Sequence, residues 1–438
     1  MITFKSITFK PRFITGFFSI VIILHLKPQL YHGVFYFCAM PKISEKGLQM
    51  PASPIRKLTP FADKAKAAGK KVYHLNIGQP DIATPEGMLN AIKNIDFDVW
   101  AYTPSEGTLA YRKKLTEYYN KLGYNITPEN ILVTVGGSEA ITIAMQTCVN
   151  EGDEIIIPEP FYANYNGFAC MSNVVVKPIL SYIENGFALP PIAEFEKLIT
   201  NKTKAIIICN PNNPTGYLYS REELEALKAL CLKYDLFLFS DEAYREFCYD
   251  GREFISPMHL DGLDENVVIM DTVSKRYSAC GARLGCLITK NKEVIASGLK
   301  FAQARLSPGM VEQIAGTAAV DTPDSYFEEV NKEYTLRRDT LVKRLNTIEG
   351  VFCPNPGGAF YVVAKFPIDD ADAFCQWMLE SFEHNGATVM MAPATGFYSS
   401  PGSGKNEVRM AYVLNTDDLN GAMDCLELAL QQYPGRTV

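Results

Sequence analysis

Histidine and tryptophan are scarce in this chain, with five and two copies among 438 residues. No two histidines stand at metal-ligand spacing and the eleven cysteines form no close pair, which argues against a zinc-type site and a histidine-based triad. An excess of positive charge is also missing. The 42 basic and 49 acidic residues leave a net charge of -7 without a basic stripe, so nucleic acid is not an expected partner. No apolar run reaches bilayer length; the longest, residues 13–24, has the length of a signal-peptide core, and no membrane partner is expected. Acids are absent from the first 39 residues, whose charges are Lys5, Lys10, Arg12 and Lys27. That shift marks a boundary. Residues 1–39 read either as a secretory signal with a poor cleavage site at Ala39 or, the preferred reading, as an extension ahead of a fold that starts at Met40. The scattered cysteines, such as Cys209 and Cys286 within apolar runs, fit reduced core positions of a cytoplasmic protein.

What is abundant is alternating apolar pattern. Strand-like runs at 131–135, 154–157, 174–179, 205–209, 236–239, 267–270 and 284–288 are separated by helical stretches. One of these, Arg221 to Tyr234, opens with Ser220 and Glu223 as a capping box. Such alternation implies an α/β fold with a mostly parallel central sheet covered by helices on both faces. A long helix at 324–347 follows, then strands at 359–363, 388–391 and 408–413 with helices at 370–384 and 416–432. The expected organisation is a large domain over 86–323 and a smaller α/β domain over 324–438, joined by an arm at 40–85. At 47% apolar residues the chain can bury sizeable cores.

Chemistry concentrates in four runs. Asp271-Thr-Val-Ser-Lys-Arg-Tyr-Ser-Ala-Cys-Gly-Ala-Arg283-Leu-Gly285 puts an amine, Lys275, at the mouth of a strand, with hydroxyls before it and a guanidinium eight positions on. By itself that lysine reads as a surface residue. Ile206-Ile-Ile-Cys-Asn-Pro-Asn-Asn-Pro-Thr-Gly216 ends a buried strand in a turn whose prolines can hold Asn213 rigidly against a ligand oxygen. Leu236-Phe-Leu-Phe-Ser-Asp-Glu-Ala-Tyr244 carries Asp241 and Tyr244 at a strand's carboxyl end, the edge where open α/β sheets bind ligands. Ile131-Leu-Val-Thr-Val-Gly-Gly-Ser-Glu-Ala-Ile141 brings two glycines and Ser138 to a helix start, a ready anion site that is also an ordinary strand-to-helix turn. Together the runs offer what pyridoxal 5'-phosphate needs: an amine for its aldehyde, a carboxylate for its ring nitrogen, and donors for its phosphate and ring oxygen.

In this order and spacing the runs resemble the class I/II aminotransferases, the aspartate aminotransferase superfamily of fold-type I enzymes, from about Ile55 to about Leu430. The resemblance implies Lys275 as the covalent lysine, Asp241 as the ring-nitrogen partner, and Asn213 and Tyr244 at the ring oxygen. It implies Gly137, Ser138, Thr272, Ser274 and Arg283 around the phosphate, Tyr162 stacked on the ring, and Arg409 with Gly78 at the substrate α-carboxylate. Tyr102 matches a tyrosine that reaches the phosphate of a neighbouring subunit, so a homodimer is implied. Transfer of an amino group from an L-amino acid to a 2-oxo acid follows, with an aspartate-like donor as first choice and aromatic or alanine-type donors behind it. A pyridoxal phosphate β-lyase shares the same residues and is the competing enzymatic reading. Where some aspartate-using relatives place a lysine after the glycine pair, this chain has Ser138. Arg305 and Arg276 are therefore candidates for the substrate side chain, and Cys280 reads as packing.

Overall fold

The computed structural model describes residues 41–438; the amino-terminal extension and its apolar run at 13–24 lie outside them. A short strand β1 (Lys71–His74) precedes a seven-stranded sheet made of β2 (Ile131–Thr134), β3 (Glu154–Glu159), β4 (Val175–Leu180), β5 (Thr203–Cys209), β6 (Phe237–Asp241), β7 (Val267–Thr272) and β8 (Gly285–Ile288). Their order across the sheet is β2-β8-β7-β6-β5-β3-β4. All neighbours are parallel except β8, which runs antiparallel to both β7 and β2. The expected mostly parallel sheet is thus present, with one reversed strand that periodicity could not reveal.

The apolar runs are continuous because both faces of this sheet are covered. Successive side chains point to opposite faces. Accordingly Ile206, Ile208, Leu238, Val267 and Ile269 enter one buried cluster, while Ala205, Ile207, Phe239, Val268 and Met270 enter another. The helix Arg221–Tyr234 has the ends expected of it: Ser220 Oγ accepts from Glu223 N at 3.2 Å, and Glu223 Oε2 accepts from Ser220 N at 2.8 Å.

A third cluster joins Leu58 and Leu75 to side chains from 330–433, around β9 (Tyr361–Lys365), β10 (Ala387–Met390), β11 (Ala392–Pro393) and β12 (Glu407–Ala411). β12 pairs antiparallel with both β9 and β11, and β1 pairs parallel with β10. Several expected ranges shift by a residue or two at their ends, and two larger differences have a local cause. The strand expected at 359–363 begins at Tyr361, because Ala359 sits at φ 56°, outside the extended region. The helix expected at 370–384 is Ala371–Glu380. After it, Asn385 and Gly386, both at positive φ, turn the chain so that His384 and Ala387 exchange backbone hydrogen bonds at 2.9 Å. An Asn-Gly pair is a strong sequence signal for such a turn. Among the described residues no helix is long and apolar enough to cross a membrane.

The capping box gives a direct check on the large core's periphery. Ser220→Ala should cost about 1 kcal/mol of stability, read as a lower urea midpoint by circular dichroism. An unchanged midpoint would show that this helix end contributes nothing.

Candidate active site

Parallel strands deliver their carboxyl ends to one edge, and there the four motifs meet. β7 ends just before Lys275, β6 ends on Asp241, β5 ends before Asn213 and β3 ends before Tyr162, and these four strands are consecutive neighbours in the sheet. The helix Gly136–Cys148, fed by β2, starts at the same cavity, which measures about 630 Å³. Its walls include Gly78, Gly137, Ser138, Tyr162, Asn213, Asp241, Tyr244, Thr272, Ser274, Lys275, Arg283 and Arg409. Every residue expected at the cofactor and the substrate α-carboxylate is therefore on one cavity except Tyr102, which is 81% exposed.

Lys275 rides on a single helical turn, Val273–Arg276, whose start is capped by Thr272 Oγ1 accepting from Ser274 N at 3.2 Å. Its Nζ donates to Gly78 O at 2.8 Å and lies 3.6 Å from Cys280 Sγ, which donates to Ser274 O. Gly78 must lack a side chain: a Cβ there would fall 1.7 Å from the Tyr361 hydroxyl oxygen. Asp241 accepts from Tyr165 Oη at 2.8 Å and from Ala243 N at 3.2 Å. Burial outweighs these bonds and pushes its carboxyl up to about 6. Burial likewise pushes the Tyr162 hydroxyl up to about 12, and that hydroxyl accepts from Asn164 Nδ2 at 2.7 Å.

Asn213 bridges two groups. Its Nδ2 donates to Tyr244 Oη at 3.4 Å and its Oδ1 accepts from Arg409 Nη1 at 3.2 Å. Arg409 is buried, its Nη2 donates to Asn76 O, and the rings of Tyr361 and Phe397 lie 4.6 and 4.8 Å from its guanidinium. No carboxylate pairs with it among the described residues, its Nε has no hydrogen-bond partner, and burial lowers its affinity for the proton. A buried cation left in this state is built to receive an anion.

At the other end of the cavity Gly136 adopts φ 74°, and a Cβ on it would meet Arg283 Nη2 at 2.5 Å. Arg283 can therefore lie against the amino-terminal turn of that helix. With Ser138, Thr272 and Ser274, whose hydroxyls are 2.8 Å apart in the latter pair, it makes a cradle suited to a phosphate.

Two expected candidates are elsewhere. Arg276 points to the opposite face from its neighbour Lys275. It pairs with Asp271 and, at 3.5 Å, with Glu246, and it is buried. Arg305 holds Glu139 Oε1 at 2.9 Å and three carbonyl contacts, also outside the cavity walls. Arg305 has its partners far off in the chain, whereas Asp271 stands five residues before Arg276 in the same motif run, a signal that was available. Conversely, the motifs did not announce Tyr361, which meets Tyr244 Oη at 2.9 Å and lines the cavity, or Tyr165, which holds Asp241. Tyr165 follows Tyr162 by one helical turn, a signal that was available; Tyr361 carried none.

Relatives were sought with this geometry in hand. The family model for aminotransferase class I and II matches residues 70–424. An aspartate aminotransferase of Bacillus subtilis is 30% identical over 90% of this chain and 100% of its own length. An aromatic-amino-acid aminotransferase of Thermococcus litoralis is 30% identical over 89% of this chain and 98% of its own. Among solved structures, a double mutant of an aspartate aminotransferase from Thermus thermophilus superposes with a TM-score of 0.82 at 29% identity, covering 89% of this chain and 100% of that one. The matched residues span all four motifs, and the chain belongs to the class I and II aminotransferases, enzymes that depend on pyridoxal 5'-phosphate.

Proposed function

We propose that this aminotransferase moves the amino group of an L-amino acid, aspartate or glutamate first, to a 2-oxo acid such as 2-oxoglutarate, with Lys275 carrying the proton. The observation that bears the reading is the amine of Lys275 and the buried carboxylate of Asp241 at the ends of adjacent strands in one cavity. The relatives named for aspartate support the donor class; the relative named for aromatic amino acids makes those donors, with alanine, the runner-up.

The residues present fit pyridoxal phosphate, since Arg283 lies over a glycine cradle and the Lys275 amine shares the cavity with the buried Asp241 carboxyl. Arg283, Gly137, Ser138, Thr272 and Ser274 would hold the phosphate, and Asp241 the proton on the ring nitrogen. Asn213 and Tyr244 would meet the ring oxygen, Tyr162 the ring face, and Lys275 the aldehyde. When bound, the cofactor supplies an electron sink for the pair released at the substrate α-carbon. Arg409, a planar fork, grips the α-carboxylate beside the backbone of Gly78 and so fixes which α-bond breaks. Lys275, whose Nζ rests on the Gly78 carbonyl at 2.8 Å, would take the α-proton as general base and hold it as general acid for its return. Tyr244 and Asn213, linked to each other and to Arg409, keep the two ends of the site in register.

The division into a large domain over 86–323 and a smaller one over 324–438 with the arm 40–85 is supported by the cluster that joins Leu58 and Leu75 to the carboxyl-terminal side chains, although Tyr244, Phe247 and Tyr249 also enter it. A homodimer is supported by an exposed apolar stretch, Val99 (72%), Trp100 (69%) and Tyr102, from which Tyr102 would reach the partner's phosphate. Cytoplasmic residence is supported by the described cysteines, all of which are free.

Three outcomes test this reading. A donor panel with 2-oxoglutarate should give the fastest turnover with aspartate or glutamate, and Lys275→Ala should lower kcat by at least about a thousandfold. Release of ammonia and 2-oxo acid without any acceptor would instead indicate a β-lyase. Trp100→Glu should shift sedimentation from dimer to monomer and remove activity with it; an active monomer would sink the shared site. The third concerns Asp241. A carboxyl raised from 3.8 to about 6 favours folding fully only below pH 3.8, and that contribution is lost as pH rises through 6. In protein stripped of cofactor, Asp241→Asn should therefore raise the melting temperature relative to wild type at pH 8 more than at pH 4. The same variant with cofactor should lose about a hundredfold or more in kcat. Equal shifts at both pH values would contradict the buried carboxyl.

A further inference from the structure

We infer that Arg56 binds the side-chain carboxylate of a dicarboxylic amino donor, which makes it a specificity-determining residue of this site. The inference rests on the transamination reading above and names the residue that selects the substrate class. Arg56, Lys275, Arg283 and Arg409 are the cations on the cavity wall, against one carboxylate, Asp241. Asp241 is matched by the ring nitrogen, Arg283 by the phosphate, Arg409 by the α-carboxylate, and Lys275 by the aldehyde. Arg56 alone is left over. Among the described residues its guanidinium has neither a hydrogen bond nor an ion pair, whereas the adjacent Lys57 is paired with Asp372. The two arginines first expected to meet the side chain are committed elsewhere, Arg276 to Asp271 and Arg305 to Glu139.

The turn that carries Arg56 is fixed to the α-carboxylate end of the site. Arg56 N donates to Ser53 O at 3.2 Å and Arg56 O accepts from Thr59 N at 3.0 Å. Pro54 packs so closely on Gly396 that a Cβ there would fall 2.1 Å from the proline Cβ. Asn76 ties the two arms together: its Nδ2 donates to Ile55 O at 3.4 Å while its own carbonyl accepts from Arg409 Nη2. A donor with one carboxylate satisfies Arg409 and leaves Arg56 facing water. A donor with two satisfies both. Arg56 is itself exposed, so its gain depends on the bound substrate displacing water from the cavity mouth, where the local dielectric then falls. Ser138, at the place where some relatives carry a lysine, offers no competing charge.

The test compares holoenzymes of wild type, Arg56→Gln and Arg56→Lys. Two quantities are read: kcat/KM for aspartate and glutamate relative to alanine and phenylalanine, and the calorimetric dissociation constants of succinate and butyrate. Wild type should favour the dicarboxylic donors. Arg56→Gln should reduce that ratio about tenfold or more, weaken succinate in parallel, and leave the succinate-to-butyrate preference near unity; Arg56→Lys should retain part of both. If wild type favours dicarboxylates and Arg56→Gln keeps the ratio and the succinate affinity, the assignment of Arg56 fails while the aminotransferase reading stands. If wild type favours neutral donors, the assignment and the dicarboxylate choice fail together. Absence of transamination with every donor would sink the underlying reading itself.

Discussion

A guanidinium without a carboxylate partner, buried among aromatic rings, is the constraint on which this site turns. Placing Arg409 at 1% exposure against Tyr361 and Phe397 costs solvation that no anion among the described residues returns. The fold tolerates the cost because the Asn76 carbonyl and the Asn213 side chain take two of its nitrogens. The surplus of positive charge runs through the whole cavity, where four cations face one acid. A ligand set carrying a phosphate and one or two carboxylates is the natural complement, and this electrostatic imbalance, more than shape, defines what the cavity accepts.

The seven-stranded sheet provides the positions. Because β3, β5, β6 and β7 are parallel and adjacent, residues far apart in the chain, from Tyr162 to Lys275, arrive at one edge without any local sequence signal for proximity. The reversed β8 returns the chain beneath the glycine turn at the start of the helix Gly136–Cys148, so Arg283 comes back over Gly136 after a short excursion.

Much of this was legible because it is local. The helix Arg221–Tyr234 is written in its caps, the strands in their unbroken apolar runs, and the motif residues in turns whose prolines and glycines have direct backbone meaning. What could not be read depends on long-range pairing. The sequence places Arg276 beside Lys275, yet successive positions in a tight helical turn face different ways: Arg276 turns back to Asp271 of its own run, and the fold adds Glu246. Tyr361 and Arg56 likewise sit outside any motif and acquire significance through Tyr244, Gly78 and Asn76, which are remote in the chain.

The cluster behind Lys275 has a mechanical effect. Asp271 binds both Arg276 and Arg245, the latter at 2.5 Å, and Arg245 also holds Glu242 at 2.8 Å; all four are buried. Although burial opposes ionisation, Arg245 and Arg276 hold the Asp271 carboxyl well below the usual carboxylate range. The short turn bearing Lys275 is thereby bolted to the rear of the sheet. Anchored behind its Cα, the amine reaches into the cavity on a four-carbon tether, a span set by rotation about side-chain bonds.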